Sequence, residues 1–301
     1  MPEEDNNIAV GLVPEPVKYT TTQEELKMPT QGLIIVDPKP EDYVFGGSPL
    51  TKVILRPDGQ HDAYLPVVEI QRLRDGVGED SFWCVACSGN SCKEITHKEM
   101  YGYEINMDDQ YTAIGSGTIR GQGNSVAKVA EWVRKNSFIK EKNRIRFAKS
   151  LDEIYVPVTG EELAKGKKNL ELYEFGYEWL PRPFNTASCT PAVLMDALKC
   201  APIQVSVDGS GYQFNNQGYI GSFVNYTHEV LIFGYVEGQF WKIFDSETEQ
   251  ALKFAWSYPF GFPMIHSIKK KYANVPQEWP SRDRFCERIQ RWFDSLDRWT
   301  R

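Results

Sequence analysis

The chain has 301 residues, of which 41% are hydrophobic and 25% are charged, a composition typical of globular proteins that bury a core. Its formal charge of −7 argues against a surface built mainly to bind phosphate, so nucleic acid is not an expected partner. No apolar run approaches the roughly 18 residues that a membrane-spanning helix needs, so no membrane span is expected.

The first residues, Met-Pro-Glu-Glu-Asp, lack the basic and apolar parts of a secretory signal peptide, so the cytoplasm is the expected location after synthesis. Six cysteines are too few for a disulfide framework, which a chain of this length does not need. Five of them are expected to be small buried hydrophobes: Cys87, Cys92, Cys189, Cys200 and Cys286.

Three parts of the chain differ in character. Residues 1–60 are rich in Pro, Glu, Thr and Asp, which predicts an extension that docks or anchors rather than a separate domain. A main domain is expected over residues 61–275. The last part, 276–301, carries apolar residues at helical spacing and predicts an amphipathic helix that docks on the domain or on an assembly partner.

Helical patterns dominate the first half of the main domain. One helix is predicted from Cys84 to about residue 100, with Glu94 and Lys98 at the i,i+4 spacing of a surface ion pair. A second follows the glycine-rich loop at 115–125, which lacks the Gly-Lys-Ser/Thr ending of a phosphate-binding loop. Further helices are predicted in part of 161–177 and over 191–198.

After residue 200 the pattern changes to short runs of β-branched and aromatic residues, at 203–207, 230–235 and 240–244. Helices followed by strands predict an α+β fold rather than alternating βα units. A two-residue turn at Glu237-Gly238 would pair residues whose numbers sum to 475. Because side chains alternate along a strand, this register makes His228 and Asp245 diagonal neighbours on one face, about 7–8 Å apart.

By itself the His228–Asp245 pair would be interpreted as a half-buried histidine beside a strand-end aspartate. A cysteine upstream in the sequence makes a catalytic role for the pair possible. Cys84 lies in the string Ser-Phe-Trp-Cys-Val-Ala-Cys-Ser at 81–88. A thiol attacks as its thiolate, an imidazole can take its proton, and a carboxylate can hold that imidazole in the right tautomer. Cys84, His228 and Asp245 are therefore the candidate catalytic residues.

The order of these motifs resembles the papain family of cysteine peptidases. Residues 84–88 read Cys-Val-Ala-Cys-Ser where the family has Cys-Trp-Ala-Phe-Ser. Residues 228–235 read His-Glu-Val-Leu-Ile-Phe-Gly-Tyr, similar to the family's histidine strand. Residues 240–246 read Phe-Trp-Lys-Ile-Phe-Asp-Ser, with Asp245 in the place of the asparagine that orients the histidine. The resemblance covers roughly residues 65–270.

This resemblance implies a papain-like two-lobed α+β fold: a helical lobe carries the nucleophile, an antiparallel β lobe carries the histidine and aspartate, and a peptide binds in the cleft between them. The implied activity is that of a cysteine endopeptidase that hydrolyses peptide bonds through a thioester acyl-enzyme, with no cofactor and no metal. The most similar members are divergent forms from environmental bacteria and bacteriophages, so a virion-associated setting is the alternative to the cytoplasm.

The same resemblance assigns the surrounding residues. Gly121, Gly123, Asn124 and Thr227 would border the bound peptide. The backbone N–H of Cys84 and the side-chain amide of Gln71 would stabilise the oxyanion.

The chain also departs from the family pattern. Val85 replaces a tryptophan, Asp245 replaces asparagine, and Glu229 replaces a small residue. Gly78 stands where the oxyanion glutamine is expected, so Gln71 can serve only if the residues that follow it form an insertion. Residues 1–60 lack the helical pattern of the usual inhibitory propeptide.

Three other functions fit parts of the sequence. The domain could be catalytically weak or inactive and serve as a structural or binding component of an assembly such as a phage virion. Cys84, Cys87, Cys92 and His97 have the intervals of a zinc knuckle with the last two ligand types exchanged, which a continuous helix would exclude. The same trio also occurs in acyl-transferring, transglutaminase-like enzymes, at a much shorter separation of thiol and imidazole.

Overall fold

The structure, a computed structural model, describes residues 17, 19–20, 32–37, 53–66, 70–142, 144–181, 188–210, 212–247 and 251–271. The predicted C-terminal helix over 276–301 and most of the predicted N-terminal extension lie outside these ranges. The chain divides into a large unit, Met1–Lys269, and a small one, Lys270–Arg301. No described helix is both long enough and apolar enough to cross a membrane.

Eight α-helices occur in the described residues. They are α1 (Leu73–Gly76), α2 (Cys84–Tyr101), α3 (Asp109–Gly115), α4 (Val126–Asn136), α5 (Arg144–Phe147), α6 (Leu151–Ile154), α7 (Gly160–Leu172) and α8 (Pro191–Leu198). The predicted helix from Cys84 is confirmed, and it ends where Gly102 adopts a left-handed φ of 76°. The helix after the glycine-rich loop is confirmed as well, because the Ser125 side chain caps α4 by accepting the Lys128 N–H.

Seven strands, counted over the same residues, form one sheet. They are β1 (Tyr19–Thr20), β2 (Tyr173–Trp179), β3 (Ile203–Val207), β4 (His228–Val236), β5 (Phe240–Phe244), β6 (Ala251–Ala255) and β7 (Gly261–Lys270). Their spatial order is β1-β6-β5-β4-β3-β7-β2. Neighbours from β6 through β7 pair antiparallel, while β1 adds to β6 in parallel. The three predicted strands are therefore confirmed.

The two halves pack through α2 and the sheet. Leu231 and Phe233 of β4 share a buried cluster with Cys92 and Ile95 of α2. The β lobe has its own apolar core on the opposite face of the sheet, and a separate cluster surrounds the start of α2. Helices and an antiparallel sheet thus form the predicted α+β fold, with Cys84 on the helical side.

One local prediction is wrong. The ion pair between Glu94 and Lys98 does not form, because Glu94 is 2% exposed and its carboxylate accepts the Met107 N–H at 2.6 Å. Lys98 instead pairs with Glu104, with 3.0 Å between Nζ and Oε2. The prediction that part of 161–177 is helical is confirmed, since α7 ends at Leu172 and β2 begins at Tyr173.

The hairpin carrying the histidine also differs near its turn. Val236 pairs with Phe240, so the connection has three residues, 237–239, rather than two. An irregularity in β4 then restores the predicted register, with Leu231 opposite Phe244. The predicted pairing of β4 with β5 is therefore wrong next to the turn and right at the other end of the hairpin, where His228 lies.

Candidate active site

Cys84 occupies the first position of α2. The carbonyl of Trp83 closes the first helical turn by accepting two backbone N–H groups, at 2.8 and 3.0 Å. Just upstream, Phe82 has a left-handed φ of 61°, and its N–H donates to Asp80 Oδ1 at 2.7 Å. A bulky residue adopts this backbone only under strain, which is common at functional sites. The bend delivers the thiol to a helix N-terminus, where the helix dipole favours a thiolate.

His228 is the first residue of β4, and Asp245 directly follows β5. The His228 Nε2 lies 2.8 Å from Asp245 Oδ1, and both side chains are fully buried. The diagonal arrangement inferred from strand alternation therefore brings the imidazole and the carboxylate into hydrogen-bonding contact.

Two further groups hold the Asp245 carboxylate. The Tyr212 hydroxyl donates to Oδ2 at 2.8 Å, and the Glu247 N–H donates to Oδ1 at 3.0 Å. Burial alone would raise the pKa of Asp245, but the contact with His228 and these hydrogen bonds hold that pKa below its usual value. Asp245 is thus an anion fixed in position by three donors.

The thiol and the imidazole also interact with each other. Burial by itself would lower the pKa of His228, but Asp245, and then the neighbouring Cys84, raise it well above its usual value. The buried Nδ1 atom makes no hydrogen bond of standard geometry within the described residues. The thiol and the imidazole are therefore close enough to shift each other's pKa without such a bond at Nδ1.

Burial raises the pKa of the Cys84 thiol above its usual value. The interactions with His228 oppose this rise, while the charges of Asp80 and Glu229 add to it. In this covered state the thiol is the favoured form, and exposure to water would favour the thiolate.

Gln71 lies beside this site because residues 73–79, which follow it, form a loop that leads away from the site and returns to it. Arg72 and Asp80 make an antiparallel bridge, and the Ser81 N–H donates to the Gln71 carbonyl at 3.0 Å, which closes the loop formed by 73–79. The Ser246 hydroxyl donates to Gln71 Oε1 at 2.6 Å, and Gln71 Nε2 donates to Asp80 Oδ1 at 3.1 Å. The side-chain amide of Gln71 is thus held next to Ser246, and these two hydrogen bonds use only one of its two N–H groups.

A segment of the N-terminal region, residues 32–37, covers Cys84; we call it the covering segment. The Gly32 N–H donates to the Thr227 carbonyl at 3.2 Å, and the Gly32 carbonyl accepts the Asn124 N–H at 2.9 Å. Ile34 N–H donates to the Asn124 carbonyl at 2.7 Å. One segment therefore bridges the helical lobe and the β lobe directly above the thiol.

Glycine is required where this segment crosses the thiol. A Cβ added to Gly32, whose φ is 153°, would lie 3.0 Å from Cys84 Sγ. A Cβ at Gly123 would lie 1.7 Å from the Gly32 carbonyl oxygen. Of the four predicted substrate-binding residues, Asn124 and Thr227 therefore hydrogen-bond the segment and Gly123 contacts it, while a Cβ at Gly121 would meet open space.

Sequence reasoning assigned no role to Gly32, Tyr212 or Ser246, although Ser246 is the last residue of the recognised string 240–246. A Gly in a Pro- and Thr-rich extension and a Tyr in a loop give no periodic signal. The zinc-knuckle set lies along one continuous helix, which spreads its ends over about 20 Å. No group of three or more potential ligands is arranged for a metal in the described part of the chain.

Several buried carboxyl groups surround the site. Glu229 follows His228 in β4, is fully buried, and accepts a hydrogen bond from the Ser206 hydroxyl at 2.8 Å. Burial raises the pKa of Glu229 to about 8, and burial next to Asp80 raises the pKa of Glu247 to about 8. Asp109, under α2, has a pKa raised by burial to about 7. Glu229 and Asp109 therefore hold protons in the folded chain that they would lose when unfolded, whereas the Arg72 guanidinium, 2.6 Å from Glu247 Oε2, opposes the rise in the pKa of Glu247.

We therefore expect the free energy of unfolding to fall as the pH rises from about 5 to about 8, because the folded state binds more protons than the unfolded state in this window. Glu229→Gln, which stays neutral, should lose about 3 kcal/mol less over the same window. Urea unfolding of both proteins at each pH measures this difference, and the comparison cancels the opposite trend from His266, whose pKa burial lowers. Parallel curves for the two proteins would contradict the expectation.

The likeness to known proteins lies in the fold. No family model matches the chain, and no curated protein matches it. Among solved structures, digestive procathepsin L2 proteinase from Tenebrio molitor larval midgut is 16% identical, with a TM-score of 0.51 over 83% of this chain and 84% of that chain. This likeness and the observed arrangement of helices and antiparallel sheet show the papain-like two-lobed α+β fold. Two other solved structures have lower TM-scores. Procathepsin L 3 of the same tissue is 14% identical, with a TM-score of 0.48 over 83% of each chain, and a recombinant stem bromelain precursor is 14% identical, with a TM-score of 0.45 over 69% of this chain and 67% of that chain.

Proposed function

We propose that the protein is a cysteine endopeptidase that the covering segment holds in a latent form. The observation that carries this proposal is the convergence of Cys84, His228 and Asp245, from a helix start and two strands, at one buried site. The covering segment supports the latent form, because Gly32 crosses the thiol of Cys84 and bonds both lobes.

The proposed reaction begins when the covering segment leaves. His228 takes the proton of Cys84, and the ionised Asp245 stabilises the imidazolium through its Nε2–H. The thiolate attacks the substrate carbonyl, the imidazolium gives its proton to the leaving amine, and a thioester remains on Cys84. His228 then takes a proton from water, whose oxygen attacks the thioester and releases the acid.

The charge that develops on the carbonyl oxygen needs donors. The Cys84 backbone N–H lies at a helix start, where N–H groups have no partner within the helix. Gln71 Nε2 supplies the second donor in this proposal, since Ser246 and Asp80 fix the amide without using all of its hydrogens.

The covering segment also indicates what substrate the cleft accepts. Leu33 packs against the buried cluster around α2, and the space next to it is lined by Val126, Trp179 and Phe262. Apart from Ser206, this lining is apolar, so we propose that the enzyme prefers an aliphatic side chain near the cleaved bond. Asn124 and Thr227 would bind the substrate backbone as they bind the segment.

Tyr212→Phe tests whether the fixed carboxylate matters. Loss of one hydrogen bond to a charged group should lower kcat/KM about tenfold, because Asp245 then holds the imidazole less firmly. Tyr111→Phe is the matched control, since it removes a hydroxyl that contacts the Asn136 carbonyl in the helical lobe. Both variants also carry Gly32→Val, so that substrate reaches the site, and equal kinetics for the two on a leucine-containing fluorogenic peptide would contradict the role given to Tyr212.

The proposal is tested by labelling with a thiol-directed epoxide and by hydrolysis of the same peptide. The wild-type chain and Gly32→Val, designed to displace the covering segment, are compared, and the labelled cysteine is identified by mass spectrometry. We expect the label on Cys84 at a pH where Cys189 and Cys200, which are partly exposed, do not react. The protein that is labelled faster at Cys84 should also hydrolyse the peptide faster, and Cys84→Ala should show neither labelling at this position nor hydrolysis.

The alternative, an inactive domain that serves in an assembly, predicts a different result. Gly32→Val would then react no faster at Cys84 than at the other cysteines and would cleave no peptide. That outcome, in a variant whose unfolding curve matches the wild type, would exclude the peptidase.

A further inference from the structure

We infer that Cys87 is a resolving cysteine for Cys84, so that oxidation closes a reversible disulfide across the first turn of α2 and switches the enzyme off. This inference rests on the proposed reactivity of Cys84, but it concerns a second thiol that the hydrolytic mechanism does not use. The juxtaposition of two cysteines three residues apart at a helix start, one beside an imidazole and one beside a carboxylate, points to it.

The spacing suits a disulfide. Residues three apart in an α-helix have Cα atoms about 5 Å apart, within the range of about 4.4–6.8 Å that disulfides span. Their Cβ atoms, about 5–6 Å apart, must approach by roughly 1.5 Å to reach the usual disulfide value. The first turn of a helix can make this adjustment, and Trp83, the N-cap residue, supplies no side-chain cap that would resist it. Cys92, eight residues from Cys84, is about 12 Å away along the axis.

Each thiol has a different neighbour, and each neighbour can accept the proton of the thiol next to it. Cys84 contacts His228, which favours its thiolate once water reaches it. The Cys87 thiol lies close enough to the Asp109 carboxylate to lower the pKa of that group, against the larger rise caused by burial. Asp109 is 6% exposed, is held by the Asn90 amide at 2.8 Å, and has a pKa raised by burial to about 7. A carboxylate with this pKa can accept the proton of a buried thiol near neutral pH.

The reaction balances with a peroxide as the oxidant. The Cys84 thiolate attacks one peroxide oxygen, the O–O bond breaks, and the released alkoxide or hydroxide takes a proton from solvent, leaving a sulfenic acid; Asp109 later returns the Cys87 proton to solvent. Cys87 then attacks the Cys84 sulfur while its proton passes to Asp109. The S–O bond breaks, and the departing hydroxide takes a proton from the His228 imidazolium to leave as water. The two sulfurs together lose two electrons, which the peroxide gains.

The disulfide would protect the enzyme. A sulfenic acid without a partner is oxidised further to sulfinic acid, which thiols do not reduce. Disulfide formation prevents this further oxidation, and a dithiol can reduce the disulfide again. The covering segment would slow the first step in the latent form, since Cys84 is fully buried beneath it.

The experiment treats the full chain carrying Gly32→Val with an excess of hydrogen peroxide, alkylates the remaining thiols, and maps the peptide that contains Cys84, Cys87 and Cys92. We expect that peptide to lose two hydrogens and to keep one alkylation mark, on Cys92. Peptide hydrolysis should be lost on oxidation and restored by dithiothreitol.

Cys87→Ser, which keeps a hydroxyl to donate to Asp109, is the decisive variant. It should cleave peptide at the parent rate before oxidation, and the activity that dithiothreitol restores should fall about tenfold, with sulfinic acid on Cys84. Cys92→Ser, the matched control, should recover like the parent. Equal recovery in both variants, or a Cys84 disulfide to a different cysteine, would overturn the inference. Epoxide labelling of Cys84 that persists in such a result would leave the peptidase proposal intact, whereas loss of that labelling in the reduced parent would defeat both.

Discussion

Replacing His228 by alanine should lower kcat/KM for peptide hydrolysis by about 10⁴-fold or more, because the enzyme then lacks both the base that takes the Cys84 proton and the acid that protonates the leaving amine. The ring lies 2.8 Å from Asp245 Oδ1, and it lies close enough to Cys84 to lower the pKa of the thiol. Burial raises the pKa of the Cys84 thiol, and His228 is the main interaction that opposes this rise. Without the His228 ring, the pKa of the thiol should therefore be higher.

This prediction has a second readout besides hydrolysis. The rate at which iodoacetamide alkylates Cys84 should move to higher pH in His228→Ala, since the thiolate loses its imidazolium partner. Both measurements are best made with Gly32→Val also present, so that reagent and substrate reach the site. Alkylation with an unchanged pH profile would contradict the proposed thiol–imidazole pair.

Asp245→Asn provides the contrast to this variant. An asparagine keeps an oxygen that can accept the Nε2–H of His228, so the ring should stay in place and activity should fall far less than in His228→Ala. The burial of Asp245 makes unfolding a necessary check, because an unpaired group there would destabilise the chain. A loss equal to that of His228→Ala in a folded Asp245→Asn protein would mean that the negative charge itself is essential.

The sequence alone predicted those parts of the site that lie on regular elements. Helical spacing places Cys84 at a helix start, and strand alternation places His228 and Asp245 on one face, because both periods follow from backbone geometry. The turn at 237–239 was wrong by one residue, since hairpin loops of two and three residues have similar sequences. An irregularity in β4 then corrected the register, and no propensity scale anticipates such a compensation.

Contacts between distant loops could not be predicted in this way. Gln71 meets Ser246 only because residues 73–79 loop outward, and Tyr212 meets Asp245 across 33 positions of sequence. The burial of Glu94 and Glu229 also has no local signal, because a charged residue is expected at the surface unless tertiary structure supplies a reason. The sequence therefore indicated the proposed reacting groups better than the groups that hold them in place.

Gly32→Val should raise the rate of Cys84 labelling and of peptide hydrolysis about a hundredfold. Valine at this position would bring its β-carbon against Cys84 Sγ and would need a φ of 153° that β-branched residues avoid. Displacement of the covering segment breaks three backbone hydrogen bonds, to Thr227 and Asn124. At about 1 kcal/mol each, their loss changes the population of open sites by about two orders of magnitude.

The pH dependence should change in the same variant. Burial is the largest cause of the raised pKa of Cys84, so hydration of the thiol should move its alkylation profile to lower pH than in the wild type. Gly238→Val is the control for backbone strain, because Gly238 also has a left-handed φ, of 70°, but its added Cβ would meet nothing within 4 Å. It should react like the wild type.

The mass of the purified chains separates two ways in which the segment could inhibit. If it blocks the site without being cut, wild-type protein remains intact during incubation at high concentration, and only Gly32→Val shows activity. If the enzyme removes its own segment, the wild type gains activity as the chain shortens, while Cys84→Ala keeps its full mass. A wild-type protein that is intact and already as reactive as Gly32→Val would contradict inhibition by residues 32–37, because the thiol would then be open despite the contacts that bridge the two lobes above it.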